Sequence, residues 1–311
     1  MNNYLAKVGI LLVVTNEANY LPVFCSSLVN QNHKNIKLFV LDNNCEDNSV
    51  EIIKSFFQDA FVLQVKEQTG FAEGNNLLAK EAIKSGCELL FTLNPDIELH
   101  ENCISSLVKL INTDEKISAV APIVFFGRER KNLNKIQFYG DRADFKKRKI
   151  ISLHSDRLFV EGKFPKEIEV NIVGGGITFI KANVIKEIGL FDERYYIYGE
   201  EIDLGQRSYH AGYKMIVTSE AKVWHHHNWL PKNKKQHYFS YFYTNRAKVL
   251  YLIKYNLYWP LIILLFKELL LLPFKIKWSL KIVDLKLLKY YYLGYLHGVL
   301  NKRYKSNVRF E

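Results

Sequence analysis

The fold is decided by residues 8–44, VGILLVVTNEANYLPVFCSSLVNQNHKNIKLFVLDNN. Two short apolar runs, Val8–Val14 and Ile36–Asp42, have the length and composition of buried strands. The segment between them, Tyr20–Gln31, predicts a helix. A strand, a helix and a second strand at this spacing predict two parallel strands joined by a crossover helix.

The same alternation continues to residue 125. The further predicted strands are Phe61–Val65, Glu88–Leu93 and Ile117–Phe125, and the further predicted helices are Ser49–Phe57, Gly74–Ser85 and Leu99–Ile111. We therefore expect an α/β protein with a mostly parallel sheet that carries helices on both faces. In such sheets ligands bind beyond the carboxyl ends of the strands, so a site is expected in the loops that follow the strands.

The next hundred residues are less regular. Residues 127–166 are charged and aperiodic, which predicts a surface excursion. Asn171–Lys181 predicts strand-like structure around three glycines, and Glu200–Ala211 predicts a helix. Two short strands are predicted at Tyr213–Val217 and Lys222–His226.

The composition is that of one large folded domain or of one domain with an appendage. The 311 residues are 48% hydrophobic and 14% aromatic, which argues against disorder. The four cysteines form no CxxC pair and suggest no zinc site, and free thiols fit a reducing cytosol. The apolar run near the N-terminus is too short for a secretory signal.

The net charge of +11 belongs to the C-terminal part of the chain. From Pro231 onward there are 16 Lys and Arg but only three acids, whereas the first 230 residues hold 27 basic and 29 acidic residues. We therefore divide the chain into a main domain, residues 1–230, with halves at 1–125 and 126–230, and a basic, aromatic helical extension, residues 231–311.

This extension is also strongly apolar. Leu257–Phe274 is about long enough for a membrane span, yet Lys267 and Glu268 lie near its middle. The segment that follows, KIKWSLKIVDLKLLKYYYLGYL, interleaves lysines with Trp, Leu and Tyr. This favours helices that lie in the interface of a membrane that carries anionic lipid. The alternative is a pair of core helices with a solvated lysine face. A true membrane span is less favoured. A nucleic-acid partner is also less favoured, because the Leu/Ile run would have no role in binding it.

Polar residues follow the first two predicted strands, at residues 15–17 (TNE) and 42–44 (DNN). An aspartate that ends the second strand is placed to accept hydrogen bonds from a base or a ribose. A turn followed by a helix N-cap would have the same pattern of residues. Residues 70–76, GFAEGNN, either expose backbone N–H groups to a phosphate at a helix start or form a plain Gly-Asn turn.

Two later segments are candidates for metal binding. Pro95 removes a backbone donor and keeps Asn94 out of helical angles, which leaves Asp96 at the rim of the sheet. There its carboxylate could bind Mg²⁺ or Mn²⁺ together with substrate phosphates, although such a tripeptide is more often only a turn. In a strand, His225 and His227 of the run HHH share a face, so either could be a metal ligand.

An acidic cluster, GEEID at residues 199–203, opens a predicted helix. Three acids are more than the helix dipole requires. At helical spacing Glu200 and Asp203 share a face, while Glu201 points about 100° away. One acid could therefore meet a substrate while the others hold the structure.

Taken in order, these motifs resemble those of the family 2 glycosyltransferases, and in particular the rhamnosyltransferase-like branch that builds bacterial surface polysaccharides. The match extends from residue 13 to about residue 228, with YFYTNRAKVL (241–250) a further match. The matching segments are VVTNEANYLP, LDNNCEDNS, GFAEGNN, LNPD, GGGITFIKANVIKEIGLFDERYYIYGEEIDLGQRSYHAG and AKVWHHHN. No single motif is specific, but six in order at family-like spacing are strong support.

The resemblance implies a GT-A fold, a nucleotide-diphospho-sugar donor, a divalent metal ion (Mg²⁺ or Mn²⁺) and inversion at the anomeric carbon. It implies dTDP-rhamnose or a UDP-hexose as donor, and a glycan acceptor that the tail suggests is lipid-linked. A peripheral protein on the cytoplasmic face of the cell membrane is then expected. The alternative is an inactive nucleotide-sugar-binding scaffold, and the lack of GxGxxG argues against a Rossmann-type oxidoreductase. The sequence indicates no oligomeric state.

The resemblance also implies roles for single residues. The base is Glu201, one methylene longer than the family's Asp, and Asp203 is the second choice. The metal ligands are Asp96 and His225, and Asn94 stands where many members have a first Asp. The donor-binding residues are Thr15, Asn16, Glu17, Asp42, Asn44, Gly70, Asn75, Asn94, Gly175 and Gly176, of which the last two form, with Gly174, a floor under donor and acceptor.

Overall fold

The computed structural model describes residues 6–127, 134–145, 149–226, 234–281 and 284–300. Its first half is a parallel sheet in the order β3-β2-β1-β4, formed by β1 (Val8–Val14), β2 (Ile36–Asp42), β3 (Phe61–Gln64) and β4 (Leu89–Leu93). Nearly every side chain of β1, β2 and β4 is buried. A parallel strand covered on both faces has no solvent side, which explains the unbroken apolar runs of the sequence.

Three helices connect these strands: α1 (Leu21–Val29), α2 (Ser49–Phe56) and α3 (Phe71–Lys84). β1 and β2 have the predicted limits, and α3 begins three residues earlier than predicted, directly after Gly70. The parallel arrangement brings the carboxyl ends of β1, β2 and β4 to the same edge of the sheet.

The second half extends the sheet with mixed pairing. Its strands are β5 (Ile97–Leu99), β6 (Ile117–Phe126), β7 (Ile136–Phe138), β8 (Arg142–Asp144), β9 (Lys149–Ile151), β10 (Glu167–Val170), β11 (Phe179–Lys181) and β12 (Lys214–His225), and its helices are α4 (Cys103–Ile111), α5 (Ala182–Ile188) and α6 (Glu200–His210). β11 lies between β4 and β6 and is antiparallel to both, while β12 runs parallel to β6. Eight strands of the ten-stranded sheet have the order β10-β12-β6-β11-β4-β1-β2-β3, β5 pairs with β12 and β7 pairs with β6. β8 and β9 form a separate two-stranded sheet.

Two predictions for the second half are corrected by this pairing. The helix predicted from Leu99 begins only at Cys103, because Leu99 belongs to β5 and pairs with Val223 of β12. Residues 134–145 and 149–166 are more than a surface excursion: β7 pairs with β6, and Tyr139 is completely buried. Residues 128–133 and 146–148 of the predicted excursion lie outside the described residues.

The two short strands predicted between Tyr213 and His226 are one strand, β12, with an irregularity in its middle. Its pairing with β6 shifts register between Thr218 and Lys222, where Thr218 lies opposite Pro122. Because a proline has no N–H to offer the ladder, the strand bulges here and then resumes.

Three helices follow the sheet: α7 (Lys234–Lys254), α8 (Tyr258–Lys281) and α9 (Leu285–Val299). α7 and α9 approach closely at Gly294 and Gly298, since a Cβ at Gly298 would lie 2.6 Å from Val249 Cβ. Within the described ranges, no helix combines the length and apolar character needed to cross a membrane. The division at residue 230 stays a prediction, although contacts between α6 and α7 cross it.

Candidate active site

The loops after β1 and β2 are tied together by the side chain of Asn43. Its amide donates to Thr15 Oγ1 at 3.1 Å and to the Thr69 carbonyl at 3.2 Å, and its oxygen accepts from the Thr69 N–H at 2.7 Å. Three polar loops, after β1, β2 and β3, are thereby held at one edge of the sheet. Asn43 had no predicted role, although it lies within the DNN motif.

The predicted donor-binding residues of these loops lie at the rim. Asp42 is buried, and its Oδ1 accepts from the Cys45 N–H at 2.9 Å. Asn16 and Asn44 are exposed and both have φ 60°, in the left-handed region that asparagine tolerates. Asn16 Oδ1 accepts from the Glu46 N–H at 2.7 Å, so its side chain fixes the neighbouring loop.

Glu17, in the loop after β1, has a side-chain pKa that differs from its usual value. Burial is the main reason that its pKa is raised to about 7; a hydrogen bond from the Thr15 N–H opposes the shift, and the charges of Asp96 and Asp47 add to it. The loop after β1 therefore places a carboxyl group within the electrostatic field of the loop after β4.

The two predicted metal ligands are neighbours. Asp96 Oδ1 lies 3.2 Å from His225 Nε2, and both side chains are about nine-tenths buried. His225 Nδ1 lies 3.1 Å from Gln137 Oε1 of β7. This contact orients the ring and turns Nε2 towards Asp96.

The rest of the histidine run is engaged differently. The His226 N–H donates to the Asp96 carbonyl at 2.8 Å, and its Nε2 lies 2.8 Å from Glu98 Oε2. His227 lies outside the described residues. Within those residues, no three His, Cys, Asp or Glu side chains are grouped to hold a metal ion. An ion at Asp96 and His225 would therefore need its other ligands from substrate and water.

The glycines before β11 make room for side chains of the site. A Cβ at Gly176 would lie 2.5 Å from the Asn94 amide, and a Cβ at Gly175 would lie 3.1 Å from Glu200 Oε1. Among the residues that the structure describes, a Cβ at Gly174 would contact only the side chain of Ile177, at 3.1 Å. The predicted floor thus brings the loop after β4 and the start of α6 close together.

The start of α3 packs against the chain that precedes α6. A Cβ at Gly70 would lie 2.6 Å from the Tyr196 carbonyl oxygen, and the Ala72 N–H donates to that oxygen at 3.2 Å. Asn75 is buried, and its amide donates to the Phe71 carbonyl at 2.9 Å. Its Oδ1 has no hydrogen-bond partner within the described part of the chain.

The acids that open α6 have different surroundings. Glu200 is buried beside Gly175, whereas Glu201 is half-buried and accepts the Gly199 N–H through Oε2 at 2.9 Å. This difference agrees with the predicted rotation of Glu201 away from the face shared by Glu200 and Asp203.

Asp203 is completely buried in an ionic cluster that joins α6 to α7. Its carboxylate accepts from Arg207 Nε at 2.8 Å, from Lys254 Nζ at 2.5 Å and from Tyr255 Oη at 2.8 Å. Lys254 also binds Asp192 at 2.7 Å. Although burial opposes it, this lysine and Arg194 hold the pKa of Asp192 well below its usual range. These contacts fasten α6 to α7.

The chain before α6 has an uncommon conformation. Tyr196 has φ 63° and ψ −63°, and the Ile197 N–H donates to the Tyr195 carbonyl at 2.7 Å, which defines a γ-turn of the strained, positive-φ kind. The Tyr196 ring stacks on Tyr243 of α7 at 4.8 Å. Arg246, completely buried, donates to the Tyr195 carbonyl at 3.3 Å. α7 therefore stabilises the turn that sets the direction of α6.

Several residues of the site were not predicted. Gln137 lies in the segment taken for a surface excursion, and Lys254 and Tyr255 lie in the segment taken for an appendage. Arg246 had a signal, because it lies in the matching segment YFYTNRAKVL.

The class of protein follows from this arrangement. The protein has a polar edge of a mostly parallel sheet, a carboxylate after β4 beside an imidazole at the end of β12, and acids at the start of a later helix. These are the parts of a glycosyltransferase with the GT-A fold. The chain belongs to glycosyl transferase family 2, whose sequence model matches residues 10–189, more than half of the chain. The predicted fold class and family are confirmed.

Sequence relatives narrow the branch. The N-acetylglucosaminyl-diphospho-decaprenol L-rhamnosyltransferase of Mycobacterium tuberculosis is 20% identical over 235 residues, which cover 70% of this chain and 75% of that one. The O-antigen chain rhamnosyltransferase WbaN of Salmonella anatum is 22% identical over 212 residues, which cover 68% of this chain and 62% of that one. The chain thus falls in the rhamnosyltransferase-like branch of the family.

Solved structures show the same fold at low identity. The crystal structure of GalNAc-T7 with UDP, GalNAc and Mn²⁺ matches 80% of this chain and 48% of its own, with a TM-score of 0.62 and 16% identity. The crystal structure of S. aureus TarS 1-349 in complex with UDP matches 78% of this chain and 65% of its own, with a TM-score of 0.51 and 12% identity.

Proposed function

We propose that this glycosyltransferase inverts the anomeric carbon as it moves a sugar from a nucleotide-diphosphate donor to a glycan of a bacterial surface polysaccharide. The proposed donor is dTDP-rhamnose, because the relatives named above are rhamnosyltransferases, with a UDP-hexose as the alternative. The proposed acceptor is a lipid-linked glycan; the name of the mycobacterial relative contains a sugar on diphospho-decaprenol.

One observation carries this proposal. The adjacent Gly175 and Gly176 touch, on one side, the Asn94 amide next to the Asp96 loop and, on the other, the Glu200 carboxylate of α6. A donor sugar above these glycines would direct its diphosphate towards Asp96 and the opposite side of its ring towards α6. In-line displacement with inversion requires the attacking and leaving oxygens on opposite sides.

The proposed base is Glu201. Of the three acids in the first turn of α6, it alone is not buried, and the Gly199 N–H fixes its carboxylate. Its carboxylate takes the proton of the acceptor hydroxyl as that oxygen attacks the anomeric carbon and the nucleoside diphosphate leaves. Asp203 remains the second choice, but its bonds to two cations and a tyrosine favour a positioning role.

Asp96 and His225 are the proposed ligands of Mg²⁺ or Mn²⁺. The pair fits such an ion, since a carboxylate oxygen and an imidazole nitrogen are adjacent, and these ions commonly complete their shells with phosphate and water. When bound, the ion neutralises negative charge on the departing diphosphate. The buried Asn75 oxygen would accept a hydrogen bond from a donor hydroxyl.

The proposed place of reaction is the cytoplasmic face of the cell membrane, where the protein would bind peripherally. The support is the apolar and basic character of the helices after the sheet, together with the proposed lipid-linked acceptor.

The experiment measures the release of dTDP or UDP from a panel of sugar nucleotides, with a lipid extract as the source of acceptor. The anomeric configuration of the product is then determined. We expect Glu201→Gln to reduce kcat about 10²–10⁴-fold, since it removes general base catalysis. Asp96→Ala should reduce turnover and weaken the binding of Mn²⁺ measured by calorimetry in the presence of dTDP.

The matched control is Glu115→Gln, an exposed acid in the turn before β6, at the opposite edge of the sheet. It should leave turnover unchanged. Unchanged turnover in both Glu201→Gln and Asp96→Ala would refute the assigned mechanism. Tight nucleotide binding without turnover on any donor would instead favour an inactive nucleotide-sugar-binding scaffold. Asn94, which stands where many members of the family have a first Asp, is the residue that suggests this alternative.

A further inference from the structure

α8 exposes a wide apolar side, whereas a surface helix of a globular protein turns its apolar side to the core. Its inward side carries Glu268 and Ser279, both buried, and the partly buried Lys275. Its outward side carries Trp259 and Phe274, each 71% exposed. The other large apolar side chains exposed along α8 are Tyr258, Ile262, Ile263, Phe266, Leu269, Leu270, Ile276 and Leu280. We call this outward side the α8 face.

The inward polar groups fix the rotation of α8 about its axis. Lys275 binds Glu268, donates to Tyr291 Oη at 2.7 Å and lies 4.0 Å from the centre of the Tyr291 ring. Tyr292 Oη donates to the Glu268 carbonyl at 3.2 Å. Turning the apolar side inward would break these contacts and leave the hydroxyls of Tyr291 and Tyr292 against apolar side chains.

The α8 face is too long to be incidental exposure. Exposed side chains recur every three to four residues through all 24 residues of α8, a length of about 36 Å at 1.5 Å per residue. Scattered exposed apolar residues are ordinary, but a continuous stripe of this size marks an interaction surface.

The charges on this side select the partner. Lys267, Lys277 and Lys281 are exposed on the α8 face, and Lys286 and Lys289 are exposed on α9. The single acid of α8, Glu268, points inward. A second copy of the chain would bring lysines to a face that offers no acid, whereas a bilayer offers an apolar interior beneath anionic headgroups.

We propose that α8 lies in the plane of a membrane, with the α8 face inserted to the boundary of headgroups and acyl chains and its lysines on anionic phospholipid. The inward Glu268–Lys275–Tyr291 contacts keep the helix docked on α9, so it binds the surface and does not span it. The inference gives the proposed function its place of action, but a binding measurement tests it without any turnover.

The experiment is sedimentation of the full chain with vesicles of phosphatidylcholine alone and with one-quarter phosphatidylglycerol. We expect binding at least tenfold tighter to the anionic vesicles, weakened by 500 mM NaCl. The variant Phe266→Ser/Leu270→Ser/Phe274→Ser should lose binding at least tenfold. Its matched control, Ile151→Ser/Leu158→Ser/Val160→Ser, changes exposed apolar residues of the main domain and should bind as the unaltered protein does.

Charge is tested separately. Lys277→Glu/Lys281→Glu should bind anionic vesicles at least tenfold more weakly, and the control Lys54→Glu/Lys80→Glu, in exposed positions of α2 and α3, should bind within about twofold of the unaltered protein. Alkaline carbonate should release the bound protein, and retention would refute the in-plane placement.

Two results would overturn the proposal. One is equal vesicle binding by the α8 and main-domain triple variants, with both folded by circular dichroism. The other is a stable dimer that the α8 triple variant dissociates, with no vesicle binding, which would assign the α8 face to a second copy. If the unaltered protein binds anionic vesicles but releases no nucleotide from any donor, the proposed function is contradicted and the placement of α8 is not.

Discussion

The parallel sheet and α8 are built from similar residues with opposite placement. β4, LLFTL, has every side chain buried, whereas α8, also rich in Leu, Ile and Phe, exposes most of its large apolar side chains. In the sheet, helices on both faces leave apolar groups no contact with water. In α8, the inward side holds Leu261 and Leu264 together with a polar cluster with α9, and the apolar side chains of the outward side are exposed within the described part of the chain. The comparison shows that the apolar content of a segment indicates how much of its surface must be removed from water. The elements packed against the segment decide whether protein or another partner covers that surface.

The largest expected difference between the two regions is in packing. Phe91 of β4 is completely buried and Phe274 of α8 is 71% exposed. Phe91→Ala should reduce the free energy of unfolding by about 3–5 kcal/mol through the cavity that it leaves. Phe274→Ala should change it by less than about 0.5 kcal/mol. Urea unfolding measures both, and a comparable loss in the two variants would mean that the α8 face is covered by protein.

The second comparison is between two buried ionic clusters. Asp203→Asn removes the carboxylate that holds Arg207 and Lys254, and should cost about 3 kcal/mol. Glu268→Gln leaves one cation, Lys275, and should cost about 1 kcal/mol. The control is Asp114→Asn, whose partner Lys214 is a third exposed, and it should show the smallest loss of the three because solvent screens this pair. If Asp203→Asn is as mild as this control, α6 is not fastened through Asp203.

The third prediction tests the link between the regions. Arg246→Met should reduce the free energy of unfolding by about 2 kcal/mol, because a buried guanidinium bound to the carbonyls of residues 194 and 195 is lost. kcat should fall more than KM rises, since the turn before the acids is loosened. The control Lys235→Met, an exposed position of the same helix, should leave both unchanged. Normal kinetics in Arg246→Met would separate the two regions functionally.

The smallest effect concerns pH at the sheet edge. The folded-state pKa of Glu17, raised to about 7 from 4.5, means that the folded protein holds a proton that the unfolded chain has lost between these values. Stability therefore decreases as the pH rises from about 4.5 to 7 and is then constant. After allowance for solvent screening at this half-buried group, Glu17→Gln should stabilise the protein by about 1–2 kcal/mol at pH 8 and by little at pH 4.

Thermal unfolding of both proteins across this pH range measures the difference. A Glu17→Gln effect that is independent of pH would show that burial does not perturb this carboxyl group.

The sheet was predictable because its information is local. An unbroken apolar run such as Val8–Val14 fits a strand covered on both faces, so β1 and β2 were placed to the residue. The bulge at Thr218 depends on Pro122, almost a hundred residues earlier, and no local pattern contains it. α8 is apolar nearly all round, so periodicity does not tell which side faces out; Glu268, Lys275 and Tyr291 determine it.

The position of the candidate site residues was predictable for the same reason. Residues that follow strands, such as Asp96 and Glu17, were placed at one edge of the sheet because the fold class brings the strand ends together there. The contact of Gln137 with His225 and that of Arg246 with the γ-turn join segments distant in sequence. Their residue types are common on protein surfaces, so the sequence gives no local reason to place them in a site.

The ionic cluster at Asp203 has a consequence for the order in which the enzyme is made. Tyr255 lies 52 residues beyond Asp203, and Lys254 immediately precedes it. A nascent chain that has emerged only as far as α6 holds Asp96 and the acids of α6, but neither His225 nor the Lys254 and Tyr255 that bind Asp203. α7 must leave the ribosome before these contacts form, so a chain interrupted before α7 would hold the parallel sheet without the cluster that fastens α6 to α7.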